Sequence, residues 1–190
     1  FRLGVPLFYD NAENGMGNWN TAHWGIANWS YDDSHSFTDS PEGQYSDFSE
    51  EAISLNRSLD FSGVIDPELH FSMYCATEAD YDIAQVQIST DSVNWSSLAG
   101  EYTRPGSGAG AQEPGEYGYD GQRGWINEQI DLNDYTGEKE VYLRLVMKAD
   151  EGGRGDGIYF DDFIVYGTEQ PEEPLVFVTP ESFNFELPLG

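Results

Sequence analysis

VYLRLVMK, residues 141–148, places Val141, Leu143, Leu145 and Met147 on one side of an extended chain and Tyr142, Arg144 and Lys148 on the other. AQVQIS, residues 84–89, repeats the pattern, with Val86 and Ile88 opposed to Gln85, Gln87 and Ser89. Alternation of period two, with one apolar and one solvated face, marks an antiparallel sheet covered on one side. Shorter runs of the same kind recur at Leu7–Tyr9, Ile53–Leu55, Glu68–Tyr74, Ile126–Asp131 and Phe163–Tyr166. The 21 Gly and 9 Pro punctuate the chain closely, and no segment keeps an apolar 3.6-residue period over three turns. The sequence therefore predicts an all-β protein, a two-sheet antiparallel β-sandwich with negligible helix.

The 190 residues include 11 Phe, 12 Tyr and 5 Trp, enough aromatic area to build a core and to argue against disorder. Thirty-five acidic against eight basic residues give a formal charge of −27. That balance excludes nucleic acid as a partner, because phosphates demand a basic surface. It disfavours anionic lipid equally, and the chain lacks the apolar stretch of about 18 residues that membrane insertion by a helix requires. Surplus carboxylates favour hard divalent cations or a solubilising surface. Cys75 is the single cysteine, so no internal disulfide forms, and its apolar setting reads as a buried small hydrophobe. The first residues carry no signal peptide, and the stretch is expected to be a mature or excised piece of a secreted protein.

Between Gly100 and Gly124 runs a Gly-rich connection with Tyr102, Tyr117 and Tyr119, expected to pack over one end of the sandwich. A boundary is expected after Gly167. Residues 1–167 form the sandwich, 168–174 an acidic Pro-containing linker, and 175–190 the truncated start of a following Ig-like domain.

The ordered pieces FYDNAENGMGNW (8–19), SHSFTDSPEGQY (34–45), LDFSG (59–63), YDIAQVQISTDSVNWSSL (81–98), IDLNDYTG (130–137), VYLRL (141–145) and DGIYFDDFIVYG (156–167) resemble MAM-like jelly-roll domains. Such domains follow the catalytic unit in immune-inhibitor-A-type metalloproteases and some bacterial zinc carboxypeptidases. Cleaved-adhesin domains of gingipain-type proteases look similar. The resemblance implies a jelly roll with structural calcium joining the N-terminal strand, an early loop and the last strand. The ligands it implies are Glu13 or Asp10, then Asp39 with a carbonyl such as that of Gly43, then one of Asp161 and Asp162. From the residues alone, an ion tying both chain ends to an early loop closes a long loop, where such a clip stabilises most. Carboxylate and carbonyl ligands fit calcium better than zinc or copper. A second acidic set, Glu78, Asp80 and Asp82, meets Asp150 and Asp156 only if their loops come together.

Catalysis finds little support. The histidines His23, His35 and His70 form no HExxH or paired zinc spacing, and no GxSxG motif exists. Arg154-Gly155-Asp156 spells an integrin-type tripeptide that reads as a polar turn. Trp19, Trp24 and Trp29 recur every five residues; with Tyr117 and Tyr119 they are candidates for stacking on sugar faces, against the commoner outcome of plugging the sandwich. The expected function is a non-catalytic, calcium-stabilised accessory domain of a secreted protease or zinc carboxypeptidase, with a carbohydrate-binding module as the alternative. Its expected partners are neighbouring domains of the same polypeptide and a glycan or extracellular protein.

Overall fold

The structure, a computed structural model, describes residues 4–169. In chain order the strands are β1 (Val5–Asp10), β2 (Trp19–Thr21), β3 (Gly25–Ala27), β4 (Ser36–Thr38), β5 (Glu50–Leu55), β6 (Val64–Ala76) and β7 (Ile83–Ser89). They continue with β8 (Ser96–Ser97), β9 (Arg104–Pro105), β10 (Tyr117–Gly118), β11 (Gln122–Asp131), β12 (Tyr142–Lys148) and β13 (Gly157–Glu169). A 3-10 turn at Asn133–Tyr135 is the one helical element among the described residues.

Two sheets face each other, as the alternating runs predict. The larger has the order β11-β6-β13-β4-β3, with β1 also paired to β13; the smaller has the order β2-β5-β12-β7-β8. First and last strands of the described residues thus lie side by side, as the jelly-roll reading expects. The spine of the larger sheet is the antiparallel pair β6–β13, each thirteen residues long. Along β6 the inward phase is Leu69, Phe71, Met73 and Cys75, all buried, and it meets Val86, Ile88, Leu143, Leu145 and Met147 of the smaller sheet in one apolar core. Cys75 is a free, buried thiol in that core.

Aromatic rings fill the centre. Trp19 lies within 5.3–5.8 Å of Phe8, Phe37, Phe160 and Phe163, mostly edge to face, the arrangement ring quadrupoles favour. Its indole N–H donates to Asp10 Oδ2 at 3.0 Å, which resolves the one polar group of an otherwise apolar contact.

Two expectations need correction or limits. The polar face of AQVQIS is not solvated: Gln85, Gln87 and Ser89 are buried. The connection after Gly100 covers Gln85, whose Nε2 donates to Glu116 Oε2 and to the Tyr117 carbonyl, while Gln87 accepts from Arg144 Nε and Ser89 donates to Asp91. The last strand runs to Glu169, and the rest of the stretch read as a linker, with residues 175–190, lies outside the described residues.

Phe160 is fully buried and stacks on Phe37 at 4.7 Å. Phe160→Ala is expected to lower unfolding free energy by about 3–5 kcal/mol in urea titration, the usual cost of emptying an aromatic core site. Phe48→Ala, at a residue 78% exposed, is expected to stay within about 0.5 kcal/mol. Equal losses would refute this placement of the core.

Candidate functional site

The site begins with a switch of partners on β13. One edge of this strand pairs with β4 at Tyr159 and Phe160, then with β1 from Phe163 onward. Between the two halves the register against β6 slips at Asp161–Ile164, and Asp162 adopts φ +50°. The slip is a β-bulge, and it reverses the side-chain phase: Ile158 and Phe160 face the core before it, Phe163 and Val165 after it. The gap between β4 and β1 is filled by the loop 29–35, and two carboxylates hold that loop. Asp161 Oδ2 accepts the amides of Tyr31 at 3.2 Å and Asp32 at 3.3 Å. Glu13 Oε1 accepts the amides of Ser34 and His35 at 2.9 and 2.7 Å, and its other oxygen lies 2.9 Å from His35 Nδ1. Burial pushes the Asp161 carboxyl up to about 6 even though the amides of Asp32, Asp162 and Tyr31 favour its charge. The Glu13 carboxyl is held below its ordinary value by the His35 ring and the Ser34 amide.

The held loop lays Trp29 on the outer face of the larger sheet. Trp29 packs edge to face on Tyr74 of β6 and Tyr159 of β13, at 4.7 and 4.9 Å, and lies 5.2 Å from Trp125 of β11. Tyr31 adds a further ring 6.0 Å from Trp125. Trp29 and Tyr31 remain 44% and 47% exposed, so solvent-facing aromatic surface tops a supported base. Polar groups continue from this patch along the same face. Asn127 donates to the Tyr31 hydroxyl at 3.2 Å and accepts from Ser72 Oγ at 2.8 Å. Beyond them Gln129 donates to Glu68 Oε1 at 3.1 Å. His70 Nε2 lies 3.0 Å from Glu68 Oε2 and 2.8 Å from the Tyr166 hydroxyl.

The aromatic candidates read from sequence separate. Trp19, Trp24 and Tyr119 are core residues, 6%, 5% and 1% exposed, and offer no platform to a ligand. Tyr117 is exposed but lies over β7 of the other sheet, with its amide donating to Ser97 Oγ. Only Trp29 joins the face. Its companions Tyr31, Tyr74, Trp125 and Tyr159 escaped the spacing argument, although Tyr74 and Tyr159 sit on the polar phase of their strands, where an aromatic is out of place.

The residues implied as calcium ligands occupy separate places. Asp10 is buried and its oxygens accept from the Ala12 amide, Asn18 Nδ2 and Trp19 Nε1. Glu13 and Asp161 hold the loop. Asp39 Oδ1 accepts the Ile158 amide at 2.7 Å, about 10 Å along β13 from Asp161 at strand rise. Its Oδ2 is buried without a partner, and burial pushes its carboxyl up to about 7. Asp162 Oδ1 accepts from the Tyr9 hydroxyl, and Gly43 lies on an exposed turn with φ +133°. As a set these residues do not gather around one point, although the orphaned oxygen of Asp39 fits a cation.

The second acidic set does gather. Glu78, Asp82 and Asp150 place oxygens within 4.8 Å of one another, the one such group of three among the described residues. Buried Asp82 accepts from the Tyr45 hydroxyl at 2.6 Å and the Asp150 amide at 2.9 Å. Burial raises the Asp82 and Glu78 carboxyls, and the charge of Asp150 adds to both. A Cβ at Gly153 would overlap the Glu78 carboxylate, so the turn that closes the group needs glycine. Asp80 and Asp156 stay outside: the Asp80 amide donates to Asp120, and Asp156 Oδ2 accepts from the Tyr159 hydroxyl.

His23, His35 and His70 each lie within 3.6 Å of a carboxylate, on Glu51, Glu13 and Glu68. In the Arg154-Gly155-Asp156 tripeptide the guanidinium pairs with both oxygens of Asp47, while Arg154 and Asp156 stay exposed on their turn.

A family model described as immune inhibitor A-like, MAM domain, matches residues 34–169. No curated protein matches the chain. Solved structures share the fold at low identity. A cleaved adhesin domain of Lys-gingipain from Porphyromonas gingivalis superposes with a TM-score of 0.52 at 13% identity, over 86% of this chain and 100% of that one. A family 11 carbohydrate-binding module from Clostridium thermocellum, in complex with a mixed-linked tetrasaccharide, gives 0.52 at 11% identity, over 88% and 99%. TmCBM61 in complex with β-1,4-galactotriose gives 0.51 at 12%, over 83% and 94%.

Asp39 supplies a pH test. A carboxyl that holds its proton more tightly when folded stabilises the fold while protonated, so the contribution is present at low pH and lost as pH rises from about 4 to about 7. With chelator present, the melting temperature of Asp39→Asn relative to the parent chain is expected to climb across that window. A flat difference would show that Asp39 titrates as an ordinary exposed acid.

Proposed function

The chain belongs to the immune inhibitor A-like MAM domain family, and on that premise we propose that it is a non-catalytic accessory domain of a longer secreted protein, one that holds its parent on an extracellular glycan. The parent proposed is a peptidase of the immune-inhibitor-A or zinc-carboxypeptidase kind. The observation that carries the binding role is the outer face of the larger sheet. Trp29 and Tyr31 are nearly half exposed there, propped on Tyr74, Trp125 and Tyr159. Large aromatic surface left in water is unfavourable, and its retention beside amide and hydroxyl groups suits a ligand that stacks an apolar face and hydrogen-bonds at its rim. Sugar rings have that character. Two of the solved structures that share this fold hold an oligosaccharide. Their likeness concerns fold alone, so the case for this chain rests on its own residues.

Trp29 acts as the stacking platform, with its edge contacts to Tyr74 and Tyr159 fixing the ring plane. Glu13 and Asp161 act as positioning residues, since they hold the loop that carries Trp29 and Tyr31. Preorganisation of this kind lowers the ordering cost of binding.

Structural calcium is part of the proposal. The triad Glu78, Asp82 and Asp150 supports it best, because three carboxylates so close repel unless a cation or protons intervene. An ion there would tie the β6–β7 turn to the β12–β13 turn.

Two measurements check these readings. Retention of the domain by insoluble polysaccharides, quantified by depletion, is expected to fall at least tenfold for Trp29→Ala, about 1.4 kcal/mol, and to be unchanged for Tyr117→Ala. No retention by any polysaccharide, neutral or charged, or loss through Tyr117 instead, would refute the glycan reading. The melting temperature is expected to rise with calcium and fall with chelator, and Asp150→Asn is expected to shrink that response. Identical melting in excess calcium and in chelator would refute the ion.

A further inference from the structure

Resting on the reading of this face as a glycan site, we infer that its ligand is an uncharged glycan chain laid along β6, from the Trp29 end to the Glu68–His70 end. The residues that face outward along β6 are Tyr74, Ser72, His70 and Glu68, which span six residue steps, about 20 Å at strand rise. On β11 the neighbouring outward residues are Asn127, opposite Ser72, and Gln129, opposite His70. The face therefore changes character along its length. One end offers ring surface, and the other offers an amide, an imidazole and a carboxylate with partly exposed side chains, 30% for His70 and 31% for Glu68. An elongated ligand with apolar faces and repeated hydroxyls matches both ends at once, since a hydroxyl donates to Glu68 and accepts from Gln129.

Charge narrows the class. Asp161, Asp162 and Glu68 lie on this face, and Asp32 and Asp33 stand in the loop beside it. The described Arg and Lys side chains with assigned contacts lie elsewhere: Arg154 is on Asp47, Lys148 on Glu116, Arg104 on Asp120, and Arg57, Arg123 and Arg144 are over Phe8, Tyr102 and Trp95. A uronate or sulfated chain would meet carboxylates with no counter-charge, inside the field of a chain bearing −27. A cationic chain would have to draw these carboxylates off their present partners, since Asp161 accepts three amides, Asp162 the Tyr9 hydroxyl and Glu68 the Gln129 side-chain amide. The rings pack on one another at 4.7–5.2 Å and leave a platform rather than a cage.

The test is isothermal titration of cello-, xylo- and galacto-oligosaccharides of increasing length, beside oligogalacturonates and chitosan oligomers of matched length. The parent chain, Trp29→Ala and Gln129→Ala are compared at low and high salt. Neutral oligosaccharides are expected to bind more tightly as they lengthen, then to reach a plateau, with little salt dependence. Trp29→Ala is expected to weaken every length at least tenfold. Gln129→Ala is expected to weaken the long ones severalfold and leave the shortest unchanged. Oligogalacturonate affinity is expected to be at least tenfold lower than that of the neutral series. Binding that prefers the charged oligomers, or that ignores length, would overturn this inference while leaving the glycan reading standing. Failure of every oligosaccharide to bind would overturn both.

Discussion

The partner switch on β13 is the constraint on which the rest of the larger sheet depends. A single strand pairs with two short strands, β4 and then β1, along one edge, and between them its ladder with β6 on the other edge gains one residue. With that bulge at Asp161–Asp162 the core-facing residues are Phe160 before it and Phe163 after it, on opposite parities. The bulge also leaves a gap in the ladder and puts a non-glycine residue at φ +50°. Unpaired amides beside that gap would be costly in a buried setting. Asp161, almost fully buried, supplies acceptors to three of them, those of Tyr31, Asp32 and Asp162. The carboxylate that completes the sheet is thus the one that orders the loop bearing Trp29 and Tyr31.

That dependence explains what was legible in the sequence. Strand phase was visible in VYLRLVMK and AQVQIS because alternation is a local property of consecutive residues. The bulge leaves a trace as well. In IYFDDFIV the apolar residues Ile158 and Phe160 fall on one parity and Phe163 and Val165 on the other, so an extra residue must intervene. Tyr74 and Tyr159, set on the polar phase, were the readable sign of an outer aromatic patch. The five-residue spacing of Trp19, Trp24 and Trp29 misled, because three short segments carry those rings to different layers. Gln85 looked solvated since nothing near it in sequence foretells the cover from residues 116–119. The same limit hid the triad: Asp82 and Asp150 belong to turns brought together only by the pairing of β7 with β12.

The acidity of the chain has a structural side beyond solvation. Asp91 accepts the amides of Val93 and Asn94, and these contacts with the Asn94 side chain hold its carboxyl far below the ordinary value. Buried Glu128 accepts the amides of Glu101, Tyr102 and Gln129 and so anchors the start of the long connection. In a protein of many short strands, loop amides outnumber ladder partners, and carboxylates are the strongest acceptors for them. An acid serving this way has its charge satisfied by N–H groups and competes poorly for a cation. Glu78, Asp82 and Asp150 differ, since their carboxylates face one another.

The triad and the aromatic face adjoin the same strand ends. Glu78 lies four residues beyond Tyr74 on the exit from β6, and Asp150 lies on the turn that leads into β13, seven residues before Gly157. Mutual repulsion among three carboxylates would push those two turns apart, and the strand ends that carry Tyr74 and Tyr159 would follow. Protonation or a bound cation would remove that repulsion. A ring platform discriminates among ligands only if its plane is fixed, because a mobile platform must be ordered on every binding event. A neutralised triad would steady the strand ends beneath Trp29 as Asp161 and Glu13 steady the loop that carries it, so the two would act on opposite sides of one loop–sheet contact.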